Sequence, residues 1–453
     1  MAGRDVMTRP LASPTPDGLD AGTLAALLGS TTPAASLPPV RGATHHSGRV
    51  RAGDAFFALP GAQGHGIAHA DEALNAGAAL VVSDRPHPRG IHVGDPAAAL
   101  LRLGAWARGR LRCPVVAVTG SAGKTTAKAL LRAALDGEAS DGNLNTPHAL
   151  AGRLMRAWAD GDARPLVLEL GIDRRGEMAE LTQLVRPDVA VLTNLSAGHL
   201  DGLGDPATVV REKSVMLHGA ARCLAADEAW QRLEASLGTR TVRYGLDAPH
   251  AEWRGTLQGD PFAPELAVHA PTTRTLPLPG LGTGLAESAL GALAVADLLG
   301  VPQDDAAGRL PHAPLEPGRL QLLRLGRLTV LDDSYNANPA SGAQALELLR
   351  QAPPPRVALL GDMLELGEES RRHHRDLGAA TRGLDLVLAV GPEARALREG
   401  NPAVRTLSMD DALAAVAELP TQGTVLVKAS RGMRFERLVE ALRARAQAGA
   451  GAP

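Results

Sequence analysis

Residues 116–131, VAVTGSAGKTTAKALL, constrain the fold more than any other stretch of this sequence. An apolar run leads into a glycine turn and then into apolar residues at helical spacing, which predicts a strand, a tight loop and a helix. Such a loop directs backbone N–H groups at phosphate oxygens, with the positive end of the helix dipole beside them. Val118 stands where the general pattern has a glycine, so the loop is of a short form, TGxxGKTT. The predicted phosphate-binding residues are Gly120, Ser121, Ala122, Gly123, Lys124, Thr125 and Thr126.

Buried-type strands alternate with helical segments along most of the chain. This alternation predicts parallel sheets with helices on both faces and a ligand site at the carboxyl ends of the strands. The length of 453 residues corresponds to about three domains. We predict an α/β protein with a small N-terminal α/β domain at 19–112, a central P-loop domain with a doubly wound parallel sheet at 113–315, and a C-terminal Rossmann-like domain at 316–446. Residues 1–18 and 447–453 are predicted to be a disordered extension and a disordered tail.

The composition excludes several classes of protein. The net charge of −2 and the pI of about 6.7 give no basic surface of the kind that binds nucleic acid. No apolar run reaches the ~18 residues of a membrane span, and the first twenty residues lack the apolar core of a signal peptide. Cys113 and Cys223 are too few for a disulfide framework or a thiolate metal site. We expect a soluble, monomeric cytoplasmic protein without nucleic acid or membrane partners.

Lysine is scarce in this sequence. It occurs at four positions, and arginine supplies the other 43 of the 47 basic residues. A lysine in such a chain is expected to do what a guanidinium does not, because its amine can lose a proton when buried and can act as a compact charge. Lys213, in the predicted helix REKSVML, would otherwise be interpreted as a surface cation, and the scarcity favours a specific role for it. Lys128, on the helix after the phosphate loop, is interpreted as structural.

Two polar side chains that follow predicted strands of the central domain are candidate metal ligands. Glu169 ends the strand PLVLEL, where a carboxylate can bind Mg²⁺, a cation that prefers oxygen ligands. His199 lies in TNLSAGHLDGLG, just beyond the next strand, and can complete a second Mg²⁺ site. Because the carboxyl ends of parallel strands share one edge of the sheet, we expect both side chains near the phosphate loop.

Taken together, these motifs resemble the Mur ligase family, whose members are ATP-dependent ligases of peptidoglycan precursors. The phosphate loop and the histidine segment are typical of the whole family, whereas DDSYNANP and LGDMLELG are specific to the branch that adds D-alanyl-D-alanine. The resemblance covers roughly residues 113–438 in the family's order. It is carried by VTGSAGKTT, GNLNTP, LELGIDRRGEMAELTQLVRPDVAVLTNLSAGHLDGLG, REKSVML, DDSYNANPAS, LLGDMLELGEES and VLVKASRGMRFERL.

The resemblance implies an enzyme that joins a carboxylate to an amine. ATP would phosphorylate the terminal carboxylate of UDP-N-acetylmuramoyl-tripeptide, and the amine of D-alanyl-D-alanine would then attack the acyl phosphate. This is the last cytoplasmic step in forming the pentapeptide precursor. The first domain would hold the UDP group, the central domain would hold ATP with two Mg²⁺ ions, and the third would close over the site. The third residue of the tripeptide stays open between lysine, ornithine and diaminopimelate.

Roles for individual residues follow from the resemblance by position. Lys213 matches the family lysine that becomes carbamylated and helps to order the metal site. The implied metal ligands are Thr125, Glu169, His199 and Lys213, and the implied catalytic residues are Lys124, Asn145, His199 and Lys213. Substrate contacts are expected from Ser47, His65, Asn143, Thr146, Asp333, Tyr335, Asn338, Ser430 and Arg431, and nucleotide contacts from Arg319 and Asn336 in addition to the phosphate loop.

Two segments depart from the family pattern. PGLGTGLAESALGALAVA lacks the expected His and Asn beside adenine, which leaves Glu287 and Ser288 as candidates there. In the first domain, THHSG and QGH replace the usual segments, and Ser47 and His65 are retained. Three alternatives are therefore considered: a folylpolyglutamate-synthase-like ligase, another Mur ligase that adds a single amino acid, and a nucleotide-binding regulator without ligase chemistry.

Overall fold

The structure is a computed structural model of the chain. It describes residues 18–32, 34, 36–61, 64–140, 142, 144–161, 163–195, 205–233, 237 and 241–450. Two predicted site residues, Asn143 and His199, lie outside the described residues, and so do residues 1–17 of the predicted extension. Within the described ranges, no helix is both long enough and apolar enough to cross a membrane.

A four-stranded parallel sheet forms the N-terminal part of the described chain. Its elements are α1 (Ala21–Leu27), β1 (Gly42–Thr44), β2 (Asp54–Phe57), the hairpin β3 (Pro60–Gly61) and β4 (Gly64–His65), α2 (Ala70–Asn75), β5 (Leu80–Ser83), β6 (Gly90–His92) and α3 (Pro96–Arg108). The strand order is β1-β2-β5-β6, and the two inner strands are buried along their whole length. The Asp95 carboxylate accepts from the Ala98 N–H and caps α3, and Pro96 occupies the first helical position.

The central part of the chain contains a nine-stranded sheet within the residues described. Its strands are β7 (Val115–Thr119), β8 (Glu138–Ala139), β9 (Leu166–Glu169), β10 (Val189–Leu192), β11 (Arg222–Ala226), β12 (Thr241–Leu246), β13 (Trp253–Asp260), β14 (Ala263–Ala270) and β15 (Arg274–Pro277). The helices are α4 (Lys124–Ala134), α5 (Pro147–Asp160), α6 (Glu177–Val185), α7 (Pro206–His218), α8 (Asp227–Leu233), α9 (Thr283–Leu298) and α10 (Gln303–Arg309). The strand order is β15-β14-β13-β12-β11-β10-β7-β9-β8, which places the fully buried β7 between β10 and β9.

The predicted parallel arrangement of the central sheet is confirmed except at one edge. From β8 to β13 the strands are parallel as predicted, but β14 runs antiparallel to β13, and β15 runs antiparallel to β14. Only residues 261–262 join β13 to β14, and a connection this short can only reverse the direction of the chain. Much of β13 is exposed, as expected for strands that lack a helix on one face.

The C-terminal part forms a six-stranded sheet in the described residues. Its elements are β16 (Gln321–Leu325), β17 (Leu328–Asp333), α11 (Pro339–Arg350), β18 (Arg356–Gly361), α12 (Ser370–Ala380), β19 (Leu386–Val390), α13 (Leu397–Gly400), β20 (Arg405–Leu407), α14 (Met409–Ala415), β21 (Gly423–Lys428) and α15 (Glu436–Ala450). The order is β16-β17-β21-β18-β19-β20, with parallel pairing from β17 to β20. The edge strand β16 is antiparallel, because Gly326, at φ +64°, and Arg327 turn the chain back into β17.

The described chain also contains short 3₁₀ helices, and its C-terminal helix is longer than predicted. Short 3₁₀ helices lie at Ser47–Arg49, Gly66–His69, Leu310–His312, Gly367–Glu369, Ala394–Ala396, Val416–Glu418 and Arg431–Met433. The prediction of a disordered tail from residue 447 is wrong for its first four residues, since α15 continues to Ala450. Alanine and arginine supply eight of the fifteen residues of this helix, and their high helix propensity favours its extension to Ala450.

The N-terminal and central sheets share one hydrophobic core. Leu100 of α3, Leu154 of α5 and Leu168 of β9 belong to the same cluster of buried side chains, so α5 packs between the two sheets. An ion pair joins the same elements, because Arg156 of α5 donates to the buried carboxylate of Asp54 in β2. Burial raises the pKa of Asp54, and its hydrogen bonds and the Arg156 charge oppose that rise.

Replacing Arg156 with methionine is expected to lower the free energy of unfolding by about 3 kcal/mol, because it leaves the Asp54 carboxylate buried without its cation. Denaturant titration followed by circular dichroism measures the change. Arg232→Met, which removes one partner of an exposed pair with Glu228, is the control and should cost less than about 1 kcal/mol. Equal losses in the two variants would contradict the structural importance of the buried pair.

Candidate active site

The phosphate loop is held against the end of the neighbouring strand β10. Ser121 N donates to the Asn194 carbonyl oxygen at 3.1 Å, and Ala122 N donates to Asn194 Oδ1 at 2.8 Å. Thr193 Oγ1 donates to the Ala122 carbonyl oxygen at 2.7 Å. Gly120 adopts φ +155°, and a Cβ there would lie 2.0 Å from Thr193 Oγ1, so only glycine permits this approach. Contacts within the protein itself therefore shape the loop.

The first residues of α4 and the end of β9 bring a cation, a hydroxyl and a carboxylate together. Lys124 Nζ donates to the Gly120 carbonyl oxygen at 2.9 Å. Thr125 Oγ1 donates to Glu169 Oε2 at 2.8 Å, and the two residues are only 4% and 3% exposed. A hydroxyl and a carboxylate are hard oxygen donors, which fits the predicted Mg²⁺ site. No group of three His, Cys, Asp or Glu placed to hold a metal ion occurs among the described residues, which exclude His199.

Lys213 lies directly behind the phosphate loop. It is 1% exposed, and its Nζ donates to Ser121 Oγ at 3.3 Å. Burial, reinforced by the nearby charge of Lys124, holds the pKa of Lys213 well below its usual value. The position therefore favours a neutral amine, which is the nucleophilic form of lysine.

The other two lysines of the chain also lie at the site. Lys128 is 3% exposed and its Nζ lies 3.6 Å from Glu169 Oε2, a position that the sequence analysis interprets only as structural. Lys428, at the end of β21, is 2% exposed, forms an ion pair with Asp333 and donates to the Asn336 carbonyl oxygen at 3.1 Å. The scarcity of lysine was therefore a signal for all four positions.

A link from the C-terminal part reaches the phosphate loop. Arg319 Nη2 donates to Thr125 Oγ1 at 2.8 Å, and the guanidinium carbon lies 4.1 Å from the centre of the Tyr335 ring. Tyr335 N donates to the Gly318 carbonyl oxygen at 2.9 Å, and Gly318 adopts φ +74°. The C-terminal part thus holds the Arg319 guanidinium against the Tyr335 ring, while Nη2 of the same side chain contacts Thr125 of α4 in the central part.

These groups surround a cavity of about 660 Å³ between the central and C-terminal parts. Both tyrosines of the chain, Tyr244 and Tyr335, line it. The structure brings together around this cavity the predicted site residues Ser121, Ala122, Gly123, Lys124, Thr125, Thr126, Asn145, Glu169, Arg319, Asp333, Tyr335, Asn336, Asn338, Ser430 and Arg431. The cavity is also lined by Leu364, Glu365 and Leu366 of LGDMLELG, and by residues for which no role was predicted, among them Glu228, Tyr244 and Asp247.

Three predicted residues, Ser47, His65 and Thr146, do not line this cavity. Ser47 begins a 3₁₀ helix of the N-terminal part, and His65 Nε2 is 2.7 Å from Asp84 Oδ1 there, so neither residue lines the cavity. Thr146 precedes α5 as its N-cap residue, next to Asn145. Asn338 lines the cavity, but its side chain also accepts from Ser341 N and caps α11, so it has a structural use.

The cavity lining also contains a partly buried acid. Glu287 of α9 contributes to the lining, together with Ser288 and Tyr244. Burial, and to a smaller degree the neighbouring carboxylates of Glu228 and Asp227, raises the pKa of Glu287 from 4.5 to about 7. The folded protein therefore favours the neutral acid, whose contribution to stability is full below pH 4.5 and is lost as the pH rises through about 7.

Glu287→Gln is expected to raise the free energy of unfolding by about 2 kcal/mol at about pH 8.5 and to change it little at about pH 5, because glutamine carries no charge to bury. Denaturant titrations at the two pH values measure this difference. Glu440→Gln, at an exposed position on α15, is the matched control and should show no such dependence. A stability change that does not vary with pH would contradict the raised pKa.

Comparison with known families matches two parts of the chain. Residues 118–296 match the model of the Mur ligase middle domain, and residues 318–431 match that of the Mur ligase, glutamate ligase domain. The UDP-N-acetylmuramoyl-tripeptide–D-alanyl-D-alanine ligase of Escherichia coli (strain K12) is 32% identical over 419 residues, covering 87% of this chain and 92% of that relative. The ligase of the same name from Bacillus subtilis (strain 168) is 30% identical, covering 85% and 90%.

Solved structures show the same similarity over nearly the whole chain. MurF from Acinetobacter baumannii superposes with a TM-score of 0.84 at 27% identity, covering 94% of this chain and 99% of that structure. MurF from Thermotoga maritima in complex with ADP gives 0.80 at 27% identity, covering 90% and 99%. Folylpolyglutamate synthase of Mycobacterium tuberculosis complexed with ADP gives 0.58 at 18% identity, which shows a shared fold alone.

Proposed function

Because the chain belongs to the Mur ligase family, and its relatives at 30% identity or more are D-alanyl-D-alanine ligases, we propose that it joins D-alanyl-D-alanine to UDP-N-acetylmuramoyl-tripeptide. The chain is an ATP-dependent ligase of peptidoglycan precursor synthesis. The observation that carries the proposal is one cavity in which the phosphate loop faces residues of DDSYNANP and LGDMLELG. These are the segments that the sequence analysis connects with the dipeptide-adding branch.

The cavity suits a reaction that activates a carboxylate. A free carboxylate is a poor acyl donor, and transfer of the γ-phosphoryl group of ATP converts it into an acyl phosphate with phosphate as the leaving group. The backbone of the phosphate loop and the Lys124 ammonium would position the phosphates and stabilise charge on the transferred group. Asn145 would lie beside the acyl group. The dipeptide amine would then attack the carbonyl carbon, and the tetrahedral intermediate would collapse to amide and phosphate.

We further propose that Thr125 and Glu169 hold Mg²⁺, with His199 as the predicted ligand of a second ion. The hydrogen bond between Thr125 Oγ1 and Glu169 Oε2 brings two oxygen ligands together and supports the first of these sites. Bound Mg²⁺ neutralises charge on the phosphates during transfer. We propose that Lys213 is carbamylated, because its buried amine lies against the phosphate loop, where Lys124 can compensate a carbamate anion. Addition of CO₂ to the neutral amine forms the N–C bond and releases one proton.

The N-terminal sheet is proposed to hold the UDP group, with Ser47 and His65 among the contacts. The predicted boundaries at residues 112 and 315 remain part of this proposal, as do the predicted monomeric state and the cytoplasmic location. Closure of the C-terminal part on the cavity would complete the site, since the ATP and dipeptide elements lie on different sheets.

Product analysis tests the proposed function directly. Phosphate release from ATP is expected to require both UDP-N-acetylmuramoyl-tripeptide and D-alanyl-D-alanine, and mass spectrometry should detect the pentapeptide product. With ¹⁸O in the terminal carboxylate of the tripeptide, one labelled oxygen should appear in the released phosphate, as an acyl phosphate requires. Folylpolyglutamate with glutamate, and muramoyl precursors with single amino acids, are the control substrates. Turnover with a control pair but not with the dipeptide would overturn the assignment.

A further inference from the structure

Lys128 is a buried cation that connects three segments of the site. It lies on α4 one turn after Lys124, and only 3% of it is exposed. Its Nζ lies 3.6 Å from Glu169 Oε2 at the end of β9 and donates to the carbonyl oxygen of Gly142 in the segment before α5. Neither partner belongs to α4, so a single amine joins the phosphate-loop helix to both of the other segments.

Glu169, the first partner of Lys128, belongs to the proposed nucleotide site. Glu169 Oε2 accepts from Thr125 Oγ1 at 2.8 Å while it faces Lys128. Two groups of α4 therefore set the direction of the carboxylate, one through a hydroxyl and the other through a charge. The orientation of Glu169 is the orientation in which it would meet Mg²⁺ and the nucleotide phosphates.

Gly142, the second partner of Lys128, precedes the residues proposed to contact the acyl substrate. Gly142 precedes Asn145 by three residues, and Asn145 lines the cavity. Gly142 adopts φ +47°, and a Cβ built on it would meet no atom within 4 Å. The glycine is thus used for its backbone conformation, which directs its carbonyl oxygen at Lys128.

A buried lysine at this position needs an explanation beyond packing. An apolar side chain of similar length would fill the same space without the cost of removing a charge from water. Arginine occupies almost every other cationic position of this chain, and a compact ammonium is the cation that can meet two separate oxygen atoms in a confined space. A buried amine is retained here at a cost to folding, which points to a use of its two contacts.

We propose that Lys128 is a positioning residue that couples the nucleotide site to the acyl-substrate site, so that binding of the magnesium–nucleotide complex and of UDP-N-acetylmuramoyl-tripeptide strengthen each other. The proposal rests on the proposed function. A ligand that fixes either Glu169 or Gly142 also fixes the Lys128 amine, because the amine contacts both residues. The amine then already lies in the position that its other partner requires. The second ligand then meets a site that is already ordered, which is a coupling free energy and is reciprocal.

Isothermal titration calorimetry on the full chain tests the coupling. The Kd of UDP-N-acetylmuramoyl-tripeptide, in lysine and diaminopimelate forms, is measured with and without MgCl₂ and a non-hydrolysable ATP analogue. The ratio of the two values is the coupling factor, which is expected to be about tenfold for wild type. Lys128→Met should reduce it to near one. Arg132→Met, which removes an exposed cation one turn later on α4, is the matched control and should keep the wild-type factor.

A second variant addresses the other end of the contact. Gly142→Ala has space for its Cβ but strains the backbone at φ +47°, which moves the carbonyl oxygen away from Lys128. It should also bring the coupling factor near one, and the double variant should show no further loss. This variant keeps the test available should Lys128→Met fold poorly.

The outcomes separate coupling from a merely structural role. A wild-type factor near one, or a variant in which both ligands bind more weakly while their ratio stays about tenfold, would overturn the proposal. A wild type that does not bind UDP-N-acetylmuramoyl-tripeptide at all would instead contradict the proposed function. Because the readout is a ratio of affinities, it does not depend on catalytic turnover.

Discussion

Replacing Lys213 with alanine is expected to lower kcat by about 10³-fold, while the free energy of unfolding stays close to that of wild type. The amine lies behind the phosphate loop, 3.3 Å from Ser121 Oγ, and the proposed carbamate would supply the negative charge that orders the metal site. Alanine removes both the amine and the anion that it would carry. Steady-state kinetics with saturating substrates measure the loss.

Rescue distinguishes a carbamate from a structural amine. Formate or acetate should restore part of the activity of Lys213→Ala, because a small carboxylate can occupy the space of the missing group. In wild type, ¹³C-bicarbonate should give a carbamate signal by ¹³C NMR that Lys213→Ala lacks. Arg211→Ala, at an exposed position on α7, is the control and should retain nearly full activity. Near-wild-type turnover of Lys213→Ala would refute the carbamate role.

Lys124→Met is expected to lower kcat/KM for ATP by about 10³-fold. Lys124 lies at the start of α4, and its ammonium is held by the Gly120 carbonyl oxygen at the mouth of the loop. The proposed function needs this charge where the γ-phosphoryl group would transfer, and methionine keeps the length of the side chain but not the charge. Steady-state kinetics with varied ATP measure the effect.

A further test of Lys124 asks which part of the nucleotide binds more weakly to the Lys124→Met variant. The affinity for a non-hydrolysable ATP analogue should fall in Lys124→Met, whereas the affinity for adenosine should stay unchanged, because in the proposed binding mode only the phosphates would contact Lys124. Binding of UDP-N-acetylmuramoyl-tripeptide without nucleotide should also be unchanged. An equal loss for adenosine and for the ATP analogue would indicate a damaged fold instead of a missing phosphate contact.

Much of the fold could be predicted because its signals are local. The alternation of buried-type strands with helical segments was legible from the sequence, and the structure confirms it in strands such as β17, β18 and β21. The antiparallel edge formed by β13, β14 and β15 was not predicted. Those strands are half exposed and join through very short turns, so they lack the long apolar runs that indicate buried strands.

The candidate site likewise contains some contacts that were predicted from the sequence and others that were not. The phosphate loop, Glu169 and Arg319 were predicted from motif and position, and the structure places them within hydrogen-bonding contact of one another through Thr125. The contacts of Lys128 were not predicted. Its partners lie 41 residues and 14 residues away along the chain, and one of them is a backbone carbonyl that carries no residue-specific signal.

The sequence by itself determined the phosphate loop, the alternation that forms the sheets, the family resemblance and the scarcity of lysine. These depend on neighbouring residues, on periodicity and on composition, which can be read without coordinates. Only the tertiary structure decided that Lys128 faces both Glu169 and Gly142, that Arg319 reaches Thr125 and that Glu287 is partly buried near other acids. Such contacts arise when segments distant in sequence pack together, and burial then sets the charge state of the groups they enclose.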